Sequence, residues 1–312
     1  MVLCYLRAVM ERRTFLKGSA GAAAAFTLAG CLGGGEGESE STETTSTTEA
    51  ETTDSTDSTE TTESGEASEL PETITIGSDI PYRPFEYETT EGDLTGFDVD
   101  IAEAVFDGQL GIDYEFKPTS FDSIIPSLNN NNFRIIMSAM TINDQRAQEV
   151  DFSDPYFTAY QTVIVRQDSD IQSREDLRGT TVGVQKGTTG ADAALELQEE
   201  FDGELELNQY DQVTGAFQAL VNGQVVAVIN DNTVNAEFVN NQGEGEVRFL
   251  QGEGAAAESG ENAPDYLTLT VENYGIAFRQ DDDEFRQRVN EALAAIKENG
   301  TYDEIYAEYF EG

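Results

Sequence analysis

From Pro71 onward, short apolar segments alternate with segments whose apolar residues recur at helical spacing. Residues 73–76 (Thr-Ile-Thr-Ile) and 112–116 alternate with period two, which predicts strands, while Ile101, Ala104, Val105 and Phe106 share one helical face. The runs 135–137, 163–165, 182–184 and 225–229 are continuously apolar, a pattern that predicts buried parallel strands. Near the C-terminus Phe285, Val289, Ala292, Leu293 and Ile296 form a helical stripe, preceded by Asp281, Asp282 and Asp283 at the helix's positive end and closed by Gly300. Alternation of this kind predicts an α/β fold.

One unit occurs twice. Residues 121–128 read as a helix, followed by an asparagine-rich turn, the apolar run 135–137 and Ser138-Ala139-Met140-Thr141. Residues 213–221 repeat the helix, followed by Asn222-Gly223, the run 225–229 and Asn230-Asp231. Each unit ends a buried strand in polar residues, and open α/β sheets bind ligands at the carboxyl ends of their strands. Two such units predict two lobes facing one another across a cleft.

The first 70 residues are of another kind. Glu11-Arg12-Arg13-Thr14-Phe15-Leu16-Lys17 precedes a small-residue, mildly apolar run that ends in Leu28-Ala29-Gly30-Cys31. Paired arginines before a short apolar run describe an export signal rather than a membrane span, because the run is too short to cross a bilayer. The pair resembles a twin-arginine signal, and Leu-Ala-Gly-Cys resembles a lipobox, whose cysteine, here Cys31, becomes the lipidated first residue. Residues 1–30 are thus expected to be the signal. The Ser/Thr/Glu tract that follows, to residue 70, cannot offset the entropy of ordering and is expected to be a solvated tether to the membrane.

Composition removes several functions. The 312 residues carry 61 acids against 17 bases, a formal net charge of -44, no His and 2 Cys, both before residue 32. Without histidine there is no Ser-His-Asp or Cys-His nucleophile and no His-containing zinc site. The charge repels nucleic acid, so no nucleic-acid partner is expected. Gln185-Lys186-Gly187-Thr188-Thr189-Gly190 lacks the order of a phosphate loop, and 281–284 lacks the spacing of a calcium loop, so neither cofactor nor metal is expected. With 38% hydrophobic residues the chain can still build a core, and at about 1 M salt the screening length falls to about 3 Å. The composition is that of a protein adapted to concentrated salt.

The candidate chemistry sits at the predicted strand ends. Arg146, five residues past Thr141, offers a planar bidentate donor for a carboxylate. Thr188 and Thr189 stand at the start of a helix whose N-terminus favours an anion. Asp231 reads equally as a partner for an ammonium and as the N-cap of a helix beginning near Thr233. Tyr82 and Phe121 read as aromatic walls or as core.

Residues 77–87 (Gly-Ser-Asp-Ile-Pro-Tyr-Arg-Pro-Phe-Glu-Tyr), 96–102 (Gly-Phe-Asp-Val-Asp-Ile-Ala), 121–128, 137–146, 150–157 and 182–190, with Gly300-Thr301-Tyr302-Asp303, come in an order that resembles the polar amino-acid solute-binding proteins of ABC importers. The resemblance covers about 74–310. It implies a two-lobed, periplasmic-binding-protein-like (type II) clamp, with lobe 1 at 71–161 plus 274–312 and lobe 2 at 162–273. It adds Asp79, Ser138 and Ala139 to the ligand site, and it implies an ABC permease and ATPase as partners. With Asp79, Tyr82, Phe121 and Ser138 in the side-chain pocket and no base placed there, a cationic or amide amino acid is expected well ahead of an acidic one. The chain departs from the family at Arg134 and Val226, where an acidic residue usually precedes the strand. A cyclohexadienyl (prephenate or arogenate) dehydratase-like enzyme and a sensory ligand-binding protein are alternatives on the same fold. The Arg146/Asp231 pair argues against the first. A sensor would be expected to continue past Gly312 into membrane and signalling segments.

If the acidic surface is an adaptation to brine, the melting temperature of a 71–312 fragment falls progressively as molar KCl is withdrawn. A melting temperature indifferent to salt would contradict that reading.

Overall fold

The computed structural model describes residues 70–259 and 263–310, all within one compact unit. Cys31, the twin arginines and the tether up to residue 69 lie outside the described residues. The first part of the chain forms β1 (Thr73–Ser78), the hairpin β2 (Tyr87–Glu88) and β3 (Leu94–Thr95), α1 (Phe97–Ala102) running on as a π-helix over Glu103–Leu110, β4 (Asp113–Pro118), α2 (Phe121–Asn129), β5 (Ile135–Ile136) and β6 (Asp151–Phe152). There follow β7 (Phe157–Arg166), β8 (Thr180–Gln185), α3 (Thr189–Glu200), β9 (Leu205–Tyr210), α4 (Val213–Val221), β10 (Ala227–Asp231), α5 (Asn232–Glu237), β11 (Val247–Phe249) and α6 (Ala255–Ser259). The last elements are β12 (Thr268–Tyr274), β13 (Ala277–Phe278), α7 (Asp283–Glu298) and α8 (Thr301–Phe310).

Two sheets result. One has the order β4-β1-β5-β13-β6, the other β11-β7-β10-β8-β9 with β12 added along β7. β1 is parallel to β4 and β5, and β8 is parallel to β9 and β10. The run 163–165 departs from the expected parallel pairing: β7 is antiparallel to β10, β11 and β12. The reason is positional. β7 carries the chain from the first sheet into the second and β12 brings it back alongside, so the two crossings run in opposite directions. Continuous apolarity reports burial on both faces, which strand direction does not alter. Val163 and Val165 pack into one core with Ala194 and Leu197 of α3, while Ile164 joins the opposite core with Phe217 and Leu220 of α4.

The first sheet is covered in the same way. Ile136 and Ala277 pack with Ile124 and Leu128 of α2, whereas Ile135 and Phe278 face Val105, Phe285 and Val289. The C-terminal helices return to the first sheet. The Phe97 ring, fully buried, lies 5.1–6.1 Å from Phe310, Tyr302 and Tyr309, and the Tyr302 hydroxyl donates to the Tyr156 carbonyl at 2.6 Å. Arg134, unusual at the entry to β5, makes a bidentate pair with Asp282 at 2.8 and 2.9 Å and lies 3.9 Å from the Phe285 ring centroid, so it ties the strand to the start of α7.

Candidate functional site

Four parallel strands deliver the site at their carboxyl ends, as open α/β sheets do. Asp79 follows β1, Ser138, Ala139 and Thr141 follow β5, Gln185 closes β8 just before Thr188 and Thr189 open α3, and Asp231 ends β10. One small pocket is lined by all ten residues named from the sequence (Asp79, Tyr82, Phe121, Ser138, Ala139, Thr141, Arg146, Thr188, Thr189 and Asp231), with Gln185 in addition. Local geometry explains the placement. Thr188 caps α3, its hydroxyl accepting from the Ala191 N–H at 3.2 Å. Gly187 at φ +73° lets that loop press onto α2, where a Cβ would lie 2.9 Å from Asp122 Cα. Asp231 is the N-cap of α5 by position, but its side chain makes no capping bond and points into the pocket.

Side chains from the two sheets meet here. The Tyr82 hydroxyl donates to the Asp231 carboxylate and lies 3.0 Å from Asn230 Oδ1. The Gln185 amide donates to the Asp79 carboxylate. Arg146, 8% exposed, donates to the Thr141 carbonyl at 2.7 Å and the Gly187 carbonyl at 3.2 Å, and its guanidinium carbon lies 5.2 Å from the Phe121 ring centroid. The ring therefore stands against a charged group at the pocket wall while its other side packs on the core of Ile124 and Leu128.

Burial sets the electrostatics. Asp231 is pushed up to about 7, first by desolvation and then by the charge of Glu272, with the Tyr82 hydrogen bond opposing. Asp79 is pushed up to about 6 by desolvation, relieved in part by Gln185 and Gln212. Burial lowers Arg146, and the acids Glu272, Asp192 and Asp231 oppose that shift. A site so poor in water favours a ligand that brings positive charge to the two aspartates and negative charge to the arginine.

Sequence reasoning missed an inner layer. Glu86, wholly buried, accepts from the Ser138 hydroxyl at 2.7 Å, and that hydroxyl accepts from the Asp79 N–H at 2.9 Å. Its proton is thereby spent on Glu86, so Ser138 faces the pocket as an acceptor. Asp98, also wholly buried, takes the Ala139 N–H at 2.8 Å and the Tyr156 hydroxyl at 2.9 Å, and so holds Ala139 at φ +46°, a costly conformation for a residue with a Cβ. Glu272 and Gln161 come from the paired crossings β12 and β7. Gln185 was findable, since it ends a buried strand as Asp231 does. Glu272 had one signal, an acid inside a strand of otherwise uncharged residues.

The model of bacterial extracellular solute-binding proteins, family 3, matches residues 74–312, and that of the twin-arginine translocation signal matches residues 9–29. A probable histidine-binding protein of Neisseria gonorrhoeae is 34% identical over 237 residues, covering 75% of this chain and 82% of its own. Among solved structures, an ancestral arginine-binding protein bound to arginine is 35% identical with a TM-score of 0.68, over 78% of this chain and 100% of that one. An arginine-, lysine-, histidine-binding protein of Geobacillus stearothermophilus is 34% identical with a TM-score of 0.65, over 77% and 96%.

The raised carboxyls make a sign-specific prediction. Groups whose folded pKa lies above the unfolded value contribute stability that is full below the unfolded value, near pH 4, and is lost as pH rises through about 6 to 7. In molar salt and without ligand, the protein is expected to melt at a lower temperature at pH 8 than at pH 5, and Asp231→Asn is expected to shrink that difference. A higher melting temperature at pH 8 would contradict the assignment.

Proposed function

This chain belongs to family 3 of the bacterial extracellular solute-binding proteins, and on that premise we propose that it captures an amino acid with a cationic or amide side chain and delivers it to an ABC importer. The observation that carries the reading is the convergence of Arg146, Asp231 and Asp79 in one buried pocket. Arg146, with Thr141 and the N-terminus of α3 at Thr188 and Thr189, answers the ligand carboxylate. Asp231 answers the ammonium, since its carboxylate keeps acceptor capacity beyond the bonds from Gln161 and Tyr82. The side chain runs between Tyr82 and Phe121 toward Asp79 and Ser138, two acceptors suited to a guanidinium, alkyl-ammonium, imidazolium or amide. Relatives named for histidine, arginine and lysine support that class. An acidic ligand would add a carboxylate beside Asp79 with no base to meet it.

Closure brings the proposed lobes, 71–161 with 274–312 and 162–273, together about the crossings β7 and β12. The twin-arginine signal indicates export, and lipidation of Cys31 holds the domain at the membrane on the acidic stalk. The protein binds and does not turn its ligand over. The acid excess suits it to concentrated salt.

Arg146→Ala and Asp231→Ala are each expected to weaken binding of L-arginine or L-histidine by about 100-fold or more. Leaving one buried charge unpaired costs about 3–5 kcal/mol, and each 1.4 kcal/mol is about tenfold. Calorimetry in molar salt checks it; a loss below tenfold for Arg146→Ala, or glutamate as the tightest ligand, would overturn the assignment. Cys31→Ser is expected to move the protein from the membrane fraction to the medium, and retention on the membrane would contradict lipid anchoring.

A further inference from the structure

Glu272 lies in β12, opposite Ala159 of β7, and is 6% exposed. Its Oε2 accepts from the Thr141 hydroxyl at 2.6 Å, the Thr189 hydroxyl at 2.7 Å and the Gln161 amide at 3.3 Å, while Oε1 accepts from the Thr270 hydroxyl at 2.8 Å. Thr141 follows a strand of the first sheet and Thr189 opens a helix on the second, so one carboxylate oxygen gathers donors from both sides of the cleft. Among the described residues it makes no salt bridge to a lysine or arginine within 4.0 Å. Arg146, for its part, spends its side-chain bonds on two neutral carbonyls, and Glu272 is foremost among the acids that sustain its charge.

A hydroxyl has one hydrogen. With both threonine hydrogens directed at Glu272, Thr141 and Thr189 offer a ligand carboxylate only lone pairs until those bonds are redirected. The same carboxylate occupies the two threonines at the end of the pocket where the ligand's own would settle. We propose that Glu272 is a built-in counter-carboxylate to Arg146, a specificity-determining residue that competes with the carboxylate of a bound amino acid for this end of the pocket. The inference rests on the reading that this end takes the ligand's carboxylate. It follows that the protein discriminates less than its relatives' chemistry would suggest between an amino acid and the amine lacking that carboxylate, because Arg146 is charge-compensated without it.

The test compares L-arginine with agmatine, which is arginine without its carboxylate, by calorimetry on the full chain in molar salt. In Glu272→Gln the ratio Kd(agmatine)/Kd(arginine) is expected to rise more than threefold, since removing the competitor helps only the ligand that has a carboxylate. A ratio unchanged within threefold, or lowered, overturns the proposal, because a merely structural role would move both ligands together. Should Glu272→Gln not fold, Glu272→Asp, which withdraws the carboxylate by one methylene, is read by the same thresholds. A second arm needs no ligand: a double-mutant cycle of Glu272→Gln and Arg146→Gln on the unfolding equilibrium is expected to show coupling above threefold, and additivity within threefold overturns the counter-charge. If the wild type binds neither compound, the assigned ligand class falls while the cycle still decides the role of Glu272.

Discussion

Three carboxylates, of Asp79, Asp231 and Glu272, are buried at the junction of two sheets beside one guanidinium, that of Arg146. That imbalance constrains everything around it. Burying a charge without a partner is expensive, so the acids are raised toward neutrality or held by amides and hydroxyls: Gln185 on Asp79, Tyr82 and Gln161 on Asp231, the threonines on Glu272. An acidic occupant adds to the excess. A zwitterion with a further cation on its side chain relieves it at both ends.

The fold is arranged to hold that excess in position. Parallel strands point their carboxyl ends into the cleft, and an inner layer fixes the loops that follow them. Glu86 orients Ser138, and through it the Asp79 backbone, while Asp98 and Tyr156 clamp the left-handed Ala139. The aromatic cluster of Phe97 and Phe85 seats α8 against α1 and the loop that follows β1. The paired crossings do more than connect, since Glu272 on β12 holds Thr141 and Thr189 from the two sides while Gln161 on β7 braces Asp231 and Glu272.

Much of this was legible in the sequence because strand ends and helix starts announce themselves through hydrophobic runs that stop at polar residues. Asp231 closing the run 225–229 and Thr188 before the stripe of α3 are of that kind, and the structure brings both to the pocket. Strand direction was not legible, because Val163-Ile164-Val165 is apolar for burial on two faces and carries no mark of its neighbours' polarity. Glu272 and Gln161 were missed for a related reason. Their importance comes from pairing β7 with β12, residues more than 100 positions apart, and periodicity within either strand does not report that partnership. Glu86 and Asp98 stood within recognisable motifs, yet their role lies one layer behind the ligand and depends on the path of the backbone at Ala139.

Excess buried carboxylate selects the ligand, and two of its members, Asp79 and Asp231, are raised toward neutrality in the free site. Proton exchange on binding tests it most directly, measured by titrating L-arginine at pH 6.5 in two buffers of different ionisation enthalpy. Because the free site has carboxyls raised to about 6 and about 7, a cationic ligand that favours their charged forms must expel protons. A net release of roughly half a proton or more per ligand is expected at pH 6.5, fading toward zero by pH 8. Binding with no proton change at pH 6.5, or with proton uptake, would contradict it.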